Sequence, residues 1–309
     1  MPPKRPFSDI LMGFTQLLIL TSLIVSPSPY RRLLFIPIST FIFHLIYLTS
    51  KNNPAKDNIM GSVLATYLLT ASDYILLTDV QRVLRRVGEK VPISGYQITE
   101  KIEVLRPKPT FTERIQWGVK LFASPRGIGW THKPTQCLRN QQPLGRYRFI
   151  QTQLLWALLY ALLFDIAGIY RRWAISTQIL GPDATGSHLT WTSFIFWKSL
   201  EQFAFVVTTV SHMCNPHNLL SALAVWVGIS KQEDWPHLFG NWKEAYTIRR
   251  FWGRVWHQLM RRPLTTHCRY ISNNLFRIPR GTLRSSYAQL ALAWAISSLV
   301  HGAGEFMAF

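Results

Sequence analysis

The chain has 309 residues, of which 48% are hydrophobic and 13% aromatic, and a formal net charge of +19. A soluble protein this basic would suggest a nucleic-acid partner, but 14 of the 34 lysines and arginines lie in residues 81–148 and 11 in residues 231–285. Most of the others flank apolar runs, as expected for the loops of a multi-pass membrane protein. We therefore predict a lipid bilayer around the chain, both basic segments on its cytosolic side, and no nucleic-acid partner.

Apolar runs that suit membrane helices recur along the chain. In order they occupy residues 10–25, 33–48, 59–77, 149–169, 191–212 and 287–309, with a shorter run at 219–229. The shorter run is either re-entrant or a continuation of the preceding span past Asn215-Pro216. Amphipathic stretches near residues 80–87 and 111–122 predict helices on the membrane surface. The predicted fold class is all-α, a multi-pass membrane protein with about six to eight transmembrane helices plus surface amphipathic and re-entrant helices.

The alternation of apolar runs and basic segments divides the chain into three parts. Residues 1–80 hold N-terminal transmembrane helices, residues 81–148 form a basic interfacial or cytosolic connection, and residues 149–309 form a C-terminal membrane core. Cysteines at 137, 214 and 268 have no paired spacing, so we predict neither a disulfide framework nor structural zinc. The sequence also lacks the GxSxG, GxxxxGK[ST] and GxGxxG patterns of serine esterases, P-loop ATPases and Rossmann dehydrogenases.

A basic and aromatic stretch, RRFWGRVWH, begins at Arg249. Its guanidinium groups at Arg249, Arg250 and Arg254 suit the phosphates of coenzyme A, because guanidinium forks bind phosphate bidentately. Trp252 and Trp256 can stack on adenine or line an acyl tunnel. The alternative is that these residues simply lie at the membrane interface, where arginine and tryptophan are enriched.

The last apolar run carries His301. Ionisable groups within membrane helices are candidates for function, and burial favours the neutral imidazole, which can accept a proton. The alternative is a core histidine bonded to a neighbouring carbonyl group. Glu305 lies one helical turn later and either fixes the imidazole tautomer or lies at the membrane edge. No third ligand accompanies the HxxxE spacing, so no metal site is predicted.

Other polar residues lie within or near the predicted spans. For Asp73, Asp165, Lys198 and Glu201, structural pairing is the favoured interpretation, although transporters also use such charges. Asn215, His217 and Asn218 lie near a helix break and could line a site.

Three motifs carry a family resemblance: WPHLFG at 235–240, RFWGRVWH at 250–257 and SLVH at 298–301. Together they resemble the wax-synthase-like branch of the membrane-bound O-acyltransferases, over residues 233–309, roughly a quarter of the chain. The resemblance implies that residues 149–309 are the acyltransferase core and that the 235–240 turn shapes its tunnel.

The resemblance also implies a reaction. His301 would be the catalytic base, and His257 would hydrogen-bond substrate or the oxyanion, unless it is merely an interfacial histidine. The expected activity transfers acetyl from acetyl-CoA to a hydroxyl of a terpenoid or meroterpenoid in fungal secondary metabolism. Its partners would be acyl-CoA and a hydrophobic alcohol, with no tightly bound cofactor, in the endoplasmic reticulum membrane. The alternatives are a long-chain acyl-CoA wax-ester synthase and, in another class, a transporter or structural membrane protein without catalysis.

The C-terminal region departs from the resembling family. Family members usually continue past the histidine helix with further membrane segments, whereas eight residues follow His301 here. We therefore expect either a shortened gene model or a variant with a less enclosed site.

Overall fold

The computed structural model describes residues 4–89, 93, 98–99, 102–103, 109–134, 144–176 and 191–309. Its helices are α1 (Asp9–Ile24), α2 (Phe35–Leu48), α3 (Pro54–Ser72), α4 (Val80–Val83), α5 (Phe111–Phe122), α6 (Arg146–Ser176), α7 (Trp191–Val227), α8 (Ile248–Arg250), α9 (Arg261–Arg269) and α10 (Leu283–Ala308). The two-residue strands β1 (Arg5–Pro6) and β2 (Thr49–Ser50) pair in parallel, and β3 (Ile98–Thr99) and β4 (Ile102–Glu103) pair antiparallel. The predicted all-α class is confirmed apart from these short strands.

Short irregular helices also occur in the part of the chain that the structure describes. Segments of 3-10 helix occupy Pro29–Leu34, Gln232–Asp234 and Trp242–Glu244, and π-helical turns occupy Asp73–Leu77, Phe251–Val255 and Tyr270–Leu275. Cys214 and Cys268 are free and buried, and Cys137 lies outside the described residues.

Side-chain caps explain where several helices begin. Ser8 accepts a hydrogen bond from the backbone N–H of Leu11, and Asn53 accepts one from the N–H of Lys56, with Pro54 at the first position of α3. Thr110 and Glu113 form a reciprocal capping box at the start of α5. Each cap satisfies backbone donors that the first helical turn leaves without a partner.

Four helical stretches among the described residues are long and apolar enough to cross a membrane: Pro29–Leu48, Pro54–Leu77, Arg146–Ser176 and Leu283–Ala308. The shorter α1 is apolar, but its 16 residues span roughly 24 Å, less than the bilayer core of about 30 Å. The longer α7 contains polar residues along its length. The count of six to eight spans is therefore not confirmed and stays a prediction.

Two compact units make up the chain: unit 1 comprises Met1–Thr135 and Gln258–Phe309, and unit 2 comprises Gln136–His257. The main core of unit 1 gathers apolar side chains from α1, α2, α3 and α10: Ile19, Ile38, Ile42, Leu45, Leu64 and Met307. A second cluster includes Trp117 and Leu121 of α5 with Trp130. The helix predicted at 111–122 is thus confirmed, with Trp117 and Leu121 facing protein and Phe111 and Val119 exposed. Its location on the membrane surface stays a prediction.

Two glycines allow α3 and α10 to pack closely. A Cβ atom added at Gly61 would lie 2.5 Å from the carbonyl oxygen of Ala303, and one at Gly304 would lie 2.5 Å from the carbonyl oxygen of Asn58. Small residues at such positions allow membrane helices to approach each other closely. This contact sets the rotation of α10, and with it the direction of His301.

A buried ion pair joins α9 to the end of α3. The carboxylate of Asp73 is fully buried and lies 2.9 Å from the Nε atom of Arg262. The Thr78 hydroxyl also donates to Asp73 at 2.6 Å. On the next turn of α9, His267 lies 3.0 Å from the Ser72 hydroxyl. These contacts hold α9 against the N-terminal helices of unit 1.

In unit 2, α6 and α7 pack against each other along their length. Pro216 lies inside α7, so the 219–229 run continues the preceding helix, and this alternative is confirmed. Arg146 donates hydrogen bonds to the carbonyl oxygens of Val225 and Trp226, near the end of α7, which satisfies acceptors that the helix leaves open.

We predict that Gly304→Ala lowers the free energy of unfolding by about 1–3 kcal/mol, because its methyl group overlaps the backbone of α3. Thermal and denaturant unfolding of the purified protein in detergent measure this change. The matched control is Gly302→Ala on the same helix, where an added Cβ meets nothing within 4 Å. Equal stability of the two variants would contradict the close contact.

Candidate active site

His301 lies on a face of α10 that unit 1 leaves open. The helix buries Val300, Gly304 and Met307, whereas the His301 side chain is exposed. The expectation of a buried imidazole is therefore wrong for this chain. An apolar helix sequence indicates non-aqueous surroundings, but it does not distinguish a face packed on protein from one turned outward.

Glu305, one turn after His301, was considered as a partner of the imidazole, but its hydrogen bond joins it to Asn58. Its carboxylate accepts a hydrogen bond of 2.6 Å from the side-chain amide of Asn58 on α3. Nearby, the Lys4 ammonium donates to the carbonyl oxygens of Phe306 and Met307, at 2.9 Å each. These bonds hold the last turns of α10, so Glu305 acts in helix positioning in this structure.

His257, in unit 2, is held within a group of aromatic rings that we call the aromatic cluster. Its members are Phe239, Trp242, Phe251, Trp252, Trp256 and His257. The His257 ring lies 5.4 Å from the Trp256 ring and meets Phe239 edge-on at 6.2 Å. Edge-to-face contacts of this kind restrict ring rotation, so the imidazole of His257 has a defined orientation.

The WPHLFG turn forms one wall of the aromatic cluster. The backbone N–H of Gly240 donates to the carbonyl oxygen of Val255 at 2.8 Å, and a Cβ atom at Gly240 would overlap the carbonyl oxygen of Arg254. His237 in this turn lies 3.4 Å from the Tyr160 hydroxyl of α6. The turn and the RFWGRVWH stretch are therefore one packed element, which their separation in sequence did not reveal.

The arginines of this stretch share an acidic partner that sequence reasoning missed. Arg250 and Arg254 both pair with the carboxylate of Glu244, and the Arg254–Glu244 distance is 3.1 Å. Arg250 also stacks over the Tyr246 ring at 4.4 Å. Arg249 is exposed. Two of the three cations predicted to bind phosphate are thus partly neutralised within the loop.

Most of the charges predicted to lie within or near membrane spans are paired. Lys198 lies 3.7 Å from Glu201 on α7, which confirms the predicted pair, and Asp73 pairs with Arg262. Paired charges stabilise a fold, so they give little support to a transport pathway.

In the interior of unit 2, Asn218 is buried on α7, and its side-chain N–H has no hydrogen-bond partner among the described residues.

The chain is similar to several known proteins. A model of the membrane bound O-acyl transferase family matches residues 235–309. The acetyltransferase ple2 of Rhodocybe pseudopiperita is 31% identical over 303 residues, which cover 98% of this chain and 74% of that protein. The acetyltransferase eriL of Hericium erinaceus is 29% identical over 286 residues, 91% of this chain and 69% of that protein. The O-mevalon transferase macI of Penicillium terrestre is 28% identical over 262 residues, which cover 80% of this chain and 55% of that protein. No solved structure matches the chain.

We predict that Gly240→Ala disrupts the aromatic cluster, because its methyl group would displace the backbone at Arg254. The near-ultraviolet circular dichroism of the clustered tryptophans should fall, together with thermal stability. Gly253→Ala in the neighbouring turn is the control, since an added Cβ there meets nothing within 4 Å. Unchanged spectra for Gly240→Ala would contradict the packing of the two motifs as one element.

Proposed function

The chain belongs to the membrane bound O-acyl transferase family, and from this premise we propose that it transfers acetyl from acetyl-CoA to a hydroxyl group of a terpenoid or meroterpenoid alcohol in fungal secondary metabolism. The observation that carries the proposal is the 31% identity to an acetyltransferase over nearly the whole chain. Two of the relatives are named acetyltransferases, which favours acetyl over a long acyl chain as the transferred group. The proposed location is the endoplasmic reticulum membrane, with about six to eight spans.

His301 is the proposed catalytic base. Its imidazole takes the proton from the acceptor hydroxyl while the hydroxyl oxygen attacks the thioester carbonyl carbon. The tetrahedral intermediate then collapses, the carbon–sulfur bond breaks, and the sulfur leaves as the thiol after receiving that proton. The outward direction of His301 supports this role, because the imidazole is open to a bound alcohol.

His257 is the proposed donor to the tetrahedral oxyanion. A fixed donor stabilises developing charge more than a mobile one, because it needs no reorganisation during the reaction. The ring contacts to Phe239 and Trp256 support this role, since they restrict the imidazole in the way such a donor requires.

Arg249, Arg250 and Arg254 are proposed to contact the phosphates of CoA, and Trp252 and Trp256 its adenine or the acyl chain. An incoming phosphate would compete with Glu244 for Arg250 and Arg254. Trp252 supports the stacking role because the residue is 44% exposed at the edge of the aromatic cluster.

We predict that His301→Ala lowers kcat for acetyl transfer by at least about 10²-fold, the smaller end of what general-base catalysis contributes. CoA release and the acetylated terpenoid, both measured in microsomes, report the rate. His212→Ala is the control, because His212 is another exposed histidine of a long helix. Wild-type turnover by a well-expressed His301→Ala variant would remove the proposed base.

A second prediction concerns the arginines. Arg250→Ala with Arg254→Ala should raise KM for acetyl-CoA about tenfold, with little change in kcat, because uniform binding energy is lost. Glu244→Gln is the matched control and should lower KM, since it removes the carboxylate that competes with the donor. If both changes leave KM unaltered, these arginines are only structural.

A further inference from the structure

Around the start of α10, unit 1 exposes a run of arginines and apolar side chains that we call the basic patch. Its members, all exposed, are Leu275, Phe276, Arg277, Arg280, Leu283, Arg284 and Tyr287. Within the described part of the chain, the side chains of its three arginines form no hydrogen bond or ion pair. The sequence from residue 245 to residue 304 contains no aspartate or glutamate. The patch therefore carries positive charge that no neighbour along the chain neutralises.

The patch lies at one end of a helix that is long and apolar enough to cross a membrane, α10. Thr282 caps the start of this helix, and Arg284 lies in its first turn. A bilayer that α10 crosses would place the patch at the level of the lipid headgroups. Cations next to a membrane helix attract the negative charge of acidic phospholipids at that level.

The apolar members of the patch favour a lipid surface over a soluble polyanion. Leu275, Phe276 and Leu283 are exposed beside the arginines, and so is the ring of Tyr287. Apolar and aromatic side chains of this kind insert at the boundary between headgroups and acyl chains, whereas a nucleic acid offers them no such surface. Charge and hydrophobicity of the patch thus match the same partner.

Hydrogen bonds hold the backbone that carries the patch. The side-chain amide of Asn273 donates to the carbonyl oxygen of Ile278 at 2.7 Å and to the Ser285 hydroxyl at 2.9 Å. The backbone N–H of Ile278 donates to the carbonyl oxygen of Ser272 at 3.0 Å. These bonds tie the connection between α9 and α10 at both ends. A partner therefore meets arginines whose backbone is already ordered, which lowers the entropic cost of binding.

The backbone at Arg277 is in the left-handed region, with φ at 53°. This residue follows the cap of the π-helical turn Tyr270–Leu275, at a position where glycine is usual because a side chain is disfavoured there. The chain thus keeps a guanidinium where it costs stability. An outlier of this kind supports a functional role for the side chain.

We propose that the basic patch binds the headgroups of anionic phospholipids. The guanidinium groups of Arg277, Arg280 and Arg284 donate to headgroup phosphate oxygens, which they match in geometry. The apolar members of the patch lie against the upper part of the acyl chains. This binding does not depend on the proposed acetyl transfer, because no step of the reaction enters it.

The test compares two short-chain lipids on the full chain, purified in a non-ionic detergent. Native mass spectrometry measures the affinity for dihexanoyl-phosphatidylserine relative to dihexanoyl-phosphatidylcholine. The double variant Arg280→Gln, Arg284→Gln should lower this preference about fivefold or more, since each arginine near an anionic surface contributes about that factor. The matched control is Arg5→Gln, Lys56→Gln, which removes the same charge from two exposed cations outside the patch. The control should keep the preference of the wild type.

Arg277→Gly separates binding from folding. Glycine adopts the left-handed conformation without strain, so this variant should lose lipid preference while its Tm stays at or above that of the wild type. The proposal is wrong if wild-type protein does not prefer phosphatidylserine, or if the control loses as much preference as the double variant. It is also wrong if the double variant weakens binding of a labelled oligonucleotide but not of phosphatidylserine. Loss of acetyl transfer with intact lipid preference would contradict the proposed function and leave the basic patch standing.

Discussion

The buried ion pair between Asp73 and Arg262 is the constraint on which much of unit 1 depends. A carboxylate without solvent exposure needs a cation, and removal of either partner of such a pair typically costs about 3–5 kcal/mol. Because Arg262 lies on α9, satisfying Asp73 also places the neighbouring residues of that helix. The same contact places Arg261 and Arg269 of α9, which line a cavity of about 300 Å³ with the loop that ends at Pro134. One interaction thus serves both the stability of α3 and the geometry of a polar site.

Much of the architecture follows from local patterns. The apolar runs predicted α2, α3, α6 and α10, and cap residues such as Asn53 and Thr110 explain where helices begin. What local patterns did not show is which face of a helix meets protein. His301 is exposed because Gly304 faces α3 and Met307 packs into the main core of unit 1. This orientation depends on a complementary glycine 243 residues earlier, at Gly61.

The residues of the candidate site also differ in whether local sequence patterns predict them or only the folded structure reveals their contacts. The RFWGRVWH stretch was recognisable from sequence because its residue types and order are distinctive. Its pairing with Glu244 was not, because that partner lies in an irregular segment where no fixed spacing brings side chains together. The cavity between α9 and the loop that ends at Pro134 is harder still to predict, because these two segments meet only in three dimensions.

The discontinuity of unit 1 has a consequence for biosynthesis. Unit 2 lies between the two sequence segments that build unit 1, and 189 residues separate Asp73 from Arg262. At about 5–20 residues per second, a ribosome takes roughly 10–40 s to supply that partner. During this interval the nascent α3 presents an acidic group and an uncovered glycine face. The early helices must therefore wait in a partly assembled state, which makes the order of synthesis a factor in the yield of folded protein.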